Sequence, residues 1–188
     1  MPQATAQPQS VDIQIRLTHD HIDQWLAEDF LRFGWWALIV LYIVCAVVWW
    51  KLLDKRQLKE TILFTALAYI AVLTINEYGQ ELILWDYPTD LIPIFPPLSS
   101  ANLLLLPLIY SLAYQHFPSP RMYSSAVLVI TAAFCFLVEP LLAWGGFFKL
   151  LNWHYWMSFP LYIVMALLVR LLASVLLNIT SRARSEGG

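Results

Sequence analysis

The most constraining feature of this sequence is an apolar run, residues 33–50, that contains no charged side chain. It has a tryptophan pair near each end, Trp35 with Trp36 and Trp49 with Trp50. Because a helix rises about 1.5 Å per residue, the fifteen residues from the first pair to the second cover about 22 Å. Tryptophans at that separation are typical of the two faces of a hydrocarbon layer. The run therefore predicts a transmembrane helix.

The composition extends this interpretation to the whole chain. Of its 188 residues, 60% are hydrophobic and 13% are charged, whereas soluble domains have about 25% charged residues. An ordinary soluble domain and a disordered chain are both excluded. We predict an all-α fold, a polytopic helical membrane bundle in which short connections make successive helices antiparallel neighbours. Five spans are predicted, at residues 34–53, 61–81, 98–116, 123–144 and 157–178.

Two different segments precede the first span. Residues 1–17 are predicted to be a disordered tail, since the first eleven are rich in Gln, Pro and Ala. Residues 18–33 are predicted to form an amphipathic helix on the membrane surface, too polar to cross a bilayer. A helix that packs only on a partner domain is the alternative. Residues 179–188 are predicted to be a polar tail. The apolar positions at helical spacing are Ile22, Trp25, Leu26, Phe30 and Phe33.

The end of the second span is ambiguous. Polar residues interrupt the apolar run at 76–81, and apolar residues resume it at 82–85. The span therefore ends either near Tyr78 or near Trp85. In the second case Trp85 and Tyr87 would be interface anchors.

The basic residues predict an orientation. Seven Lys and Arg residues lie in the first and third connections and the C-terminal tail, against three in the N-terminal segment and the fourth connection. Because cytoplasmic loops are enriched in basic residues, the N-terminus is predicted outside a cell membrane and the C-terminus in the cytoplasm. The net charge of −2 gives no sign of nucleic-acid binding. The predicted partners are the lipid bilayer and either another membrane protein or a second copy of this chain.

The order of motifs in residues 102–162 resembles a known family. The segments NLLLLPLIYSLAYQHFPSPRMYSS, FCFLVEPLLAWGGFF and NWHYWMSFPLYI are similar to those of small uncharacterised integral membrane proteins from spore-forming Gram-positive bacteria. The resemblance implies a bundle of four or five spans in a bacterial membrane and no particular activity, and it excludes the first 33 residues. It depends on Pro107, Tyr110, Tyr114, Gln115, Glu139, Pro140, Trp153, Ser158 and Tyr162, and less closely on Glu77, Trp85, Tyr87 and Pro93.

Three carboxylates form a candidate polar site in the membrane: Glu77, Glu81 and Glu139. The first two are four residues apart and share a helix face, and the predicted orientation places all three in the outer half. A carboxylate near the centre of a membrane helix costs on the order of 2.5–3.5 kcal/mol, so it normally faces the bundle interior and marks a functional path. In the alternative, Glu77 and Glu81 are solvated at the headgroups and Glu139 is a structural hydrogen-bonding group. We predict that Glu139 faces the interior, beside the backbone that Pro140 leaves unpaired at Phe136.

The remaining polar residues suggest no chemistry. Arg170 is predicted to be an inner-face anchor whose side chain extends toward the cytoplasmic interface. His19 and His21 are two residues apart and point in different directions on a helix. Cys45 and Cys135 are predicted to be small buried apolar side chains. The sequence has no nucleophile elbow, phosphate loop or metal motif, so no catalytic residue, metal or cofactor is predicted.

Three functions from different classes remain open. The first is a non-enzymatic structural or accessory membrane subunit, favoured by the short loops and the lack of catalytic motifs. The second is a small proton- or cation-coupled transporter or channel that uses the three carboxylates. The third is a membrane-embedded enzyme for a lipid or isoprenoid, with Glu139 as a general acid.

Overall fold

The structure is a computed structural model that describes residues 9–93 and 101–186. Its helices form a bundle, and two short strands pair antiparallel at one end. The helices are α1 (Gln9–Glu28), α2 (Phe33–Leu52), α3 (Leu58–Glu81), α4 (Ala101–His116), α5 (Pro120–Ala133), α6 (Glu139–Trp144) and α7 (Tyr155–Glu186). The strands are β1 (Trp85–Asp86) and β2 (Lys149–Leu150), a 3-10 turn (Lys55–Gln57) precedes α3, and a π-helical turn (Phe134–Val138) joins α5 to α6.

The predicted helical membrane bundle is confirmed. Within the two described ranges, four helical segments are long and apolar enough to cross a membrane: Phe33–Leu52, Lys55–Glu81, Pro120–Trp144 and Tyr155–Arg182. The third predicted span, residues 98–116, corresponds to α4, which is shorter at 16 residues; positions 98–100 of that prediction lie outside the described residues. Of the consecutive helices, α3 packs against α4 and α4 against α5, as the short connections predict, whereas α2 packs against α4.

Helix α3 lies at the centre of the bundle, against α4 and α7. Its buried residues recur every three or four positions, the spacing that keeps one face of a helix toward its neighbours. The other contacts are α2 with α4, and α5 with α4 and α7. The buried face of α3 consists of Thr61, Phe64, Ala68, Val72, Asn76 and Gly79.

The bundle has two ends that the following sections distinguish. The base end contains residues 53–57, between α2 and α3, and residues 117–119, between α4 and α5. The cap end contains residues 82–91 and 145–154, which include β1 and β2. Backbone hydrogen bonds close the cap end, because the amides of Leu151 and Asn152 both donate to the Leu84 carbonyl at 3.0 Å.

The predicted disordered N-terminal tail is wrong in its extent, and the polar C-terminal tail is largely helical. Helix α1 begins at Gln9, so residues 9–17 are helical; residues 1–8 lie outside the described part of the chain. Helix α7 continues to Glu186, so most of the predicted polar tail is also helical. Residues 9–17 and 179–186 lack proline and glycine, the residues that most strongly stop a helix.

The predicted surface helix ends earlier than expected, at Glu28 and not at residue 33. The chain turns through Leu31, whose φ of 61° is left-handed. The Arg32 guanidinium closes this turn by donating to the Ala27 carbonyl at 2.7 Å. Helix α2 then starts at Phe33, so the surface helix and the first span are separate elements.

The cap end resolves the ambiguous end of the second span. Helix α3 ends at Glu81, and Ile83 then adopts a left-handed φ of 54°. The chain turns back and places the Trp85 indole over Gly79. A Cβ on Gly79 would lie 1.9 Å from Cζ2 of Trp85, so only glycine permits this contact. Trp85 and Tyr87, which the longer span would make interface anchors, are buried within the protein.

Candidate functional site

Glu139 lies in the bundle interior, as predicted, with 0% of its surface exposed. The Tyr162 hydroxyl on α7 donates to its Oε1 atom at 3.0 Å. Its other oxygen, Oε2, is also buried and has no hydrogen-bond partner within residues 9–93 and 101–186. The centre of the candidate site is therefore an enclosed carboxyl group with one tethered and one open oxygen.

A π-helical turn sets the direction of the Glu139 side chain. The Glu139 amide donates to the Phe134 carbonyl, five residues earlier. Phe134 and Cys135 are buried, whereas Phe136 and Leu137 are exposed. The extra residue in this turn accommodates Pro140, which lacks the amide of an ordinary helical bond. Turns of this type occur often at functional sites.

Two residues of α7 contact the site from one helix face. Ser158 and Tyr162 are four residues apart, and the Ser158 hydroxyl lies beside the Glu139 carboxyl group. The Ser158 oxygen also accepts a hydrogen bond from Nε1 of Trp153 at 3.0 Å. Trp153 packs edge-on against Trp85, with ring centroids 5.4 Å apart. The carboxyl group is thus connected to the aromatic packing of the cap end.

A second buried pair adjoins the same site. The Tyr87 hydroxyl donates to Oδ1 of Asn76 at 2.5 Å, and Nδ2 of Asn76 donates to the Val72 carbonyl at 3.0 Å. Tyr87 also lies near Tyr162 of the same site. We call the five residues Asn76, Tyr87, Glu139, Ser158 and Tyr162 the polar cluster; it joins α3, the cap end, α6 and α7.

The three predicted carboxylates do not form one site. Glu77 is half-buried, with Oε1 buried and unpaired within the described ranges, and Glu81 is exposed. The structure gives both residues a position at the cap end of α3 but no hydrogen bond or ion pair with Glu139 among the described residues. Instead the neighbour of Glu77, Asn76, faces the interior. Only Glu139 of the predicted site lies in the polar cluster.

Arg170 has specific protein partners at the base end. Its guanidinium donates to the carbonyls of Phe117, Pro118 and Ser119 at 3.3, 2.5 and 3.4 Å. It also lies 4.4 Å from the ring centroid of Tyr123, a favourable cation–π distance. The side chain extends toward the predicted inner face, and the sequence did not indicate that it would hold the α4–α5 turn.

Gln115 holds the other connection at the base end. Its Oε1 atom accepts from the Asp54 amide at 3.0 Å and from the Thr61 hydroxyl at 3.4 Å. Its Nε2 atom donates to the Leu52 carbonyl at 3.5 Å. Sequence reasoning named Gln115 only through the family resemblance. Its place in the last turn of an apolar helix is a signal that could have shown an interhelical role.

Asn76 is the site residue that sequence reasoning missed. The sequence presents it as part of a polar interruption, together with Glu77 and Glu81. It nevertheless continues the four-residue spacing of Ala68 and Val72, which predicts a position on the buried face. That spacing is the signal that separates Asn76 from its acidic neighbours.

Helix α1 contacts the cap end near its C-terminus. Nε1 of Trp25 donates to the Asp90 carbonyl at 2.8 Å, and His21 lies 3.1 Å from the Asp90 carboxylate. Burial raises the pKa of Asp29 above its ordinary 3.8; the Asp90 backbone hydrogen bond lowers it, and the Asp90 charge raises it again. Leu26 remains exposed, so part of the predicted apolar face is not covered by protein.

Two grooves lie on the sides of the bundle, and neither is lined by Glu139. One, of about 390 Å³, lies between α2, α3 and α4 and is lined by residues such as Trp49 and Pro107. The other, of about 580 Å³, lies beside α5 near Arg121. A substrate pocket that ends at Glu139, which the enzyme hypothesis requires, is therefore not provided by either groove.

Comparison of the chain with models of protein families, with curated proteins and with solved structures finds no match.

The polar cluster can do two things chemically. Its interhelical hydrogen bonds fix α3, α6, α7 and the cap end relative to one another, because buried polar groups lose free energy when a partner is removed. The open oxygen of Glu139 can also accept a proton or a small cation. The first role uses all five side chains of the cluster, and the second uses Glu139 alone.

Proposed function

We propose that this protein is a non-enzymatic, multi-pass protein of the cell membrane that serves as a structural or accessory subunit. The observation that supports this most directly is the enclosure of Glu139, which is fully buried, tethered to Tyr162 and absent from both grooves. A carboxylate that works in transport or catalysis needs access for its ion or substrate. An enclosed carboxylate that bonds to a neighbouring helix suits a rigid scaffold.

The exposure of helix α2 supports the proposal that the protein binds a partner within the membrane. The helix packs against α4, and Leu38 is the one fully buried residue of its twenty. Its outward face is apolar and includes Ile43, Val44 and Val47. We propose that this face contacts another membrane protein or a second copy of the chain.

Photo-crosslinking in intact membranes tests the proposal. A photoreactive residue at Val47, on the outward face of α2, should give a discrete protein adduct. The matched control is Leu168, an exposed apolar residue of α7, where we expect lipid adducts only. If neither position gives a protein adduct, or both give the same diffuse set, the accessory role is wrong.

We also propose that the N-terminus lies outside the cell and the C-terminus in the cytoplasm. The support is the count of seven basic residues against three. In a variant without Cys45 and Cys135, Ser10→Cys should react with an impermeant thiol reagent on intact cells, and Gln57→Cys should not. The reverse labelling pattern would overturn this orientation.

A second candidate function has one specific observation in its favour. The buried, unpaired Oε2 atom of Glu139 suits a proton- or cation-coupled activity, since intramembrane carboxylates often mark ion pathways. Purified protein in liposomes loaded with a pH-sensitive dye would test this. Proton flux that Glu139→Gln abolishes would favour the second candidate over the first.

A further inference from the structure

The groove beside α5 has a cation at one end, and apart from Ser125 its remaining lining is apolar. Phe117 and Arg121 lie at the base end, and Ala126, Val129 and Ile130 continue it toward the middle of the bundle. We infer that this groove beside α5 binds one anionic phospholipid of the leaflet at the base end, with the headgroup phosphate at Arg121 and an acyl chain along α5.

The length of the groove fits one leaflet. The nine residues from Arg121 to Ile130 rise about 13–14 Å along the helix. Half of a typical hydrocarbon core is about 15 Å thick. An acyl chain whose headgroup lies at Arg121 would therefore follow the groove to about the middle of the membrane.

The charge of the groove favours an anionic headgroup. The Arg121 side chain is exposed and makes no hydrogen bond or ion pair with the described residues, so its charge is available to a ligand. The neighbouring Arg170 adds positive charge at the same turn through its bonds to Phe117 and Pro118. Basic side chains between membrane helices are a known basis for recognition of anionic lipids.

The second groove provides an internal comparison. It lies between α2, α3 and α4, and its lining includes Trp49, Ile62, Thr65 and Tyr69 but no charged residue. It can accept an acyl chain but gives a phosphate no cation. Selectivity for anionic lipid should therefore depend on Arg121 and not on apolar grooves in general.

Native mass spectrometry of the detergent-purified chain tests the inference. Phosphatidylglycerol and phosphatidylcholine with identical acyl chains are titrated, and we expect tighter binding of phosphatidylglycerol. Arg121→Gln should weaken that binding about fivefold, the effect expected for one cation at an anionic lipid surface. Arg56→Gln, which removes a base-end cation outside the groove, is the matched control and should leave binding unchanged.

Two further experiments distinguish binding of a whole lipid in the groove from binding of a phosphate group alone. Ala126→Trp should fill the apolar part of the groove and weaken the binding of phosphatidylglycerol while Arg121 stays in place. Inorganic phosphate alone should give no protection of Arg121 against a guanidinium-modifying reagent, whereas phosphatidylglycerol should. Equal binding of both lipids, equal losses in Arg121→Gln and Arg56→Gln, or full protection by phosphate alone would each overturn the inference.

Discussion

Removal of the Glu139 carboxyl group should destabilise the bundle through Tyr162. In Glu139→Leu the Tyr162 hydroxyl loses the acceptor that now lies 3.0 Å away. Both side chains are buried, so water cannot replace that acceptor. A buried polar group left unpaired costs about 1–3 kcal/mol, and we expect a loss of this size. Glu139→Gln keeps an acceptor oxygen of the same reach, so most of the stability should remain.

A double-mutant cycle isolates this contact from the change in packing. Tyr162→Phe removes the donor, and it should cost about 1 kcal/mol less in the Glu139→Leu background than in the parent, because the shared hydrogen bond is then already absent. Thermal unfolding of the parent, the two single variants and the double variant in one detergent measures the four stabilities. If Glu139→Leu is as stable as the parent, or the two substitutions are simply additive, the hydrogen bond does not hold α6 to α7.

Three other substitutions test separate parts of the structure. Gly79→Ala places a methyl group 1.9 Å from the Trp85 ring and should cost about 1–3 kcal/mol by overpacking; an unchanged unfolding temperature would contradict the close contact. Arg170→Lys should lower the free energy of unfolding by about 1–3 kcal/mol, since an ammonium group cannot reach the same three carbonyls as a planar guanidinium. Unfolding at the parent temperature would show that these three hydrogen bonds do not stabilise the protein. Because burial raises the pKa of Asp29 above 3.8, docking of α1 should be favoured at low pH and should weaken as pH rises past that value. Asp29→Asn should therefore slow hydrogen exchange in α1 at pH 7. The difference in exchange rate between the variant and the parent should shrink toward pH 4, and a difference that stays constant with pH would refute the titration of Asp29.

The fold class could be read from the sequence, because membrane helices are specified by local properties. A run of apolar residues long enough to cross the hydrocarbon must satisfy its own backbone hydrogen bonds, and a helix does so within the segment. This logic located α2, α3, α5–α6 and the start of α7 to within a few residues, whereas α7 continues to Glu186, beyond the predicted end at residue 178. It also placed Glu139 in the interior, since a carboxylate in an apolar helix has few other stable positions.

The ends of the elements depended on contacts that the local pattern does not contain. Helix α3 ends at Glu81 because Trp85 turns back onto Gly79, although the apolar residues after Glu81 equally suit a longer span. Helix α1 ends at Glu28 where Arg32 binds the Ala27 carbonyl. Each of these endings requires a side chain from beyond the helix itself.

The partners of the candidate site were decided by the tertiary structure alone. The sequence grouped Glu139 with Glu77 and Glu81, because all three are acidic residues within predicted membrane spans. The fold instead pairs Glu139 with Tyr162, 23 positions later, and pairs Asn76 with Tyr87 across the cap-end turn. A single helical span determines that a polar group must find a partner, but only the packing of the helices determines which side chain comes within hydrogen-bonding distance.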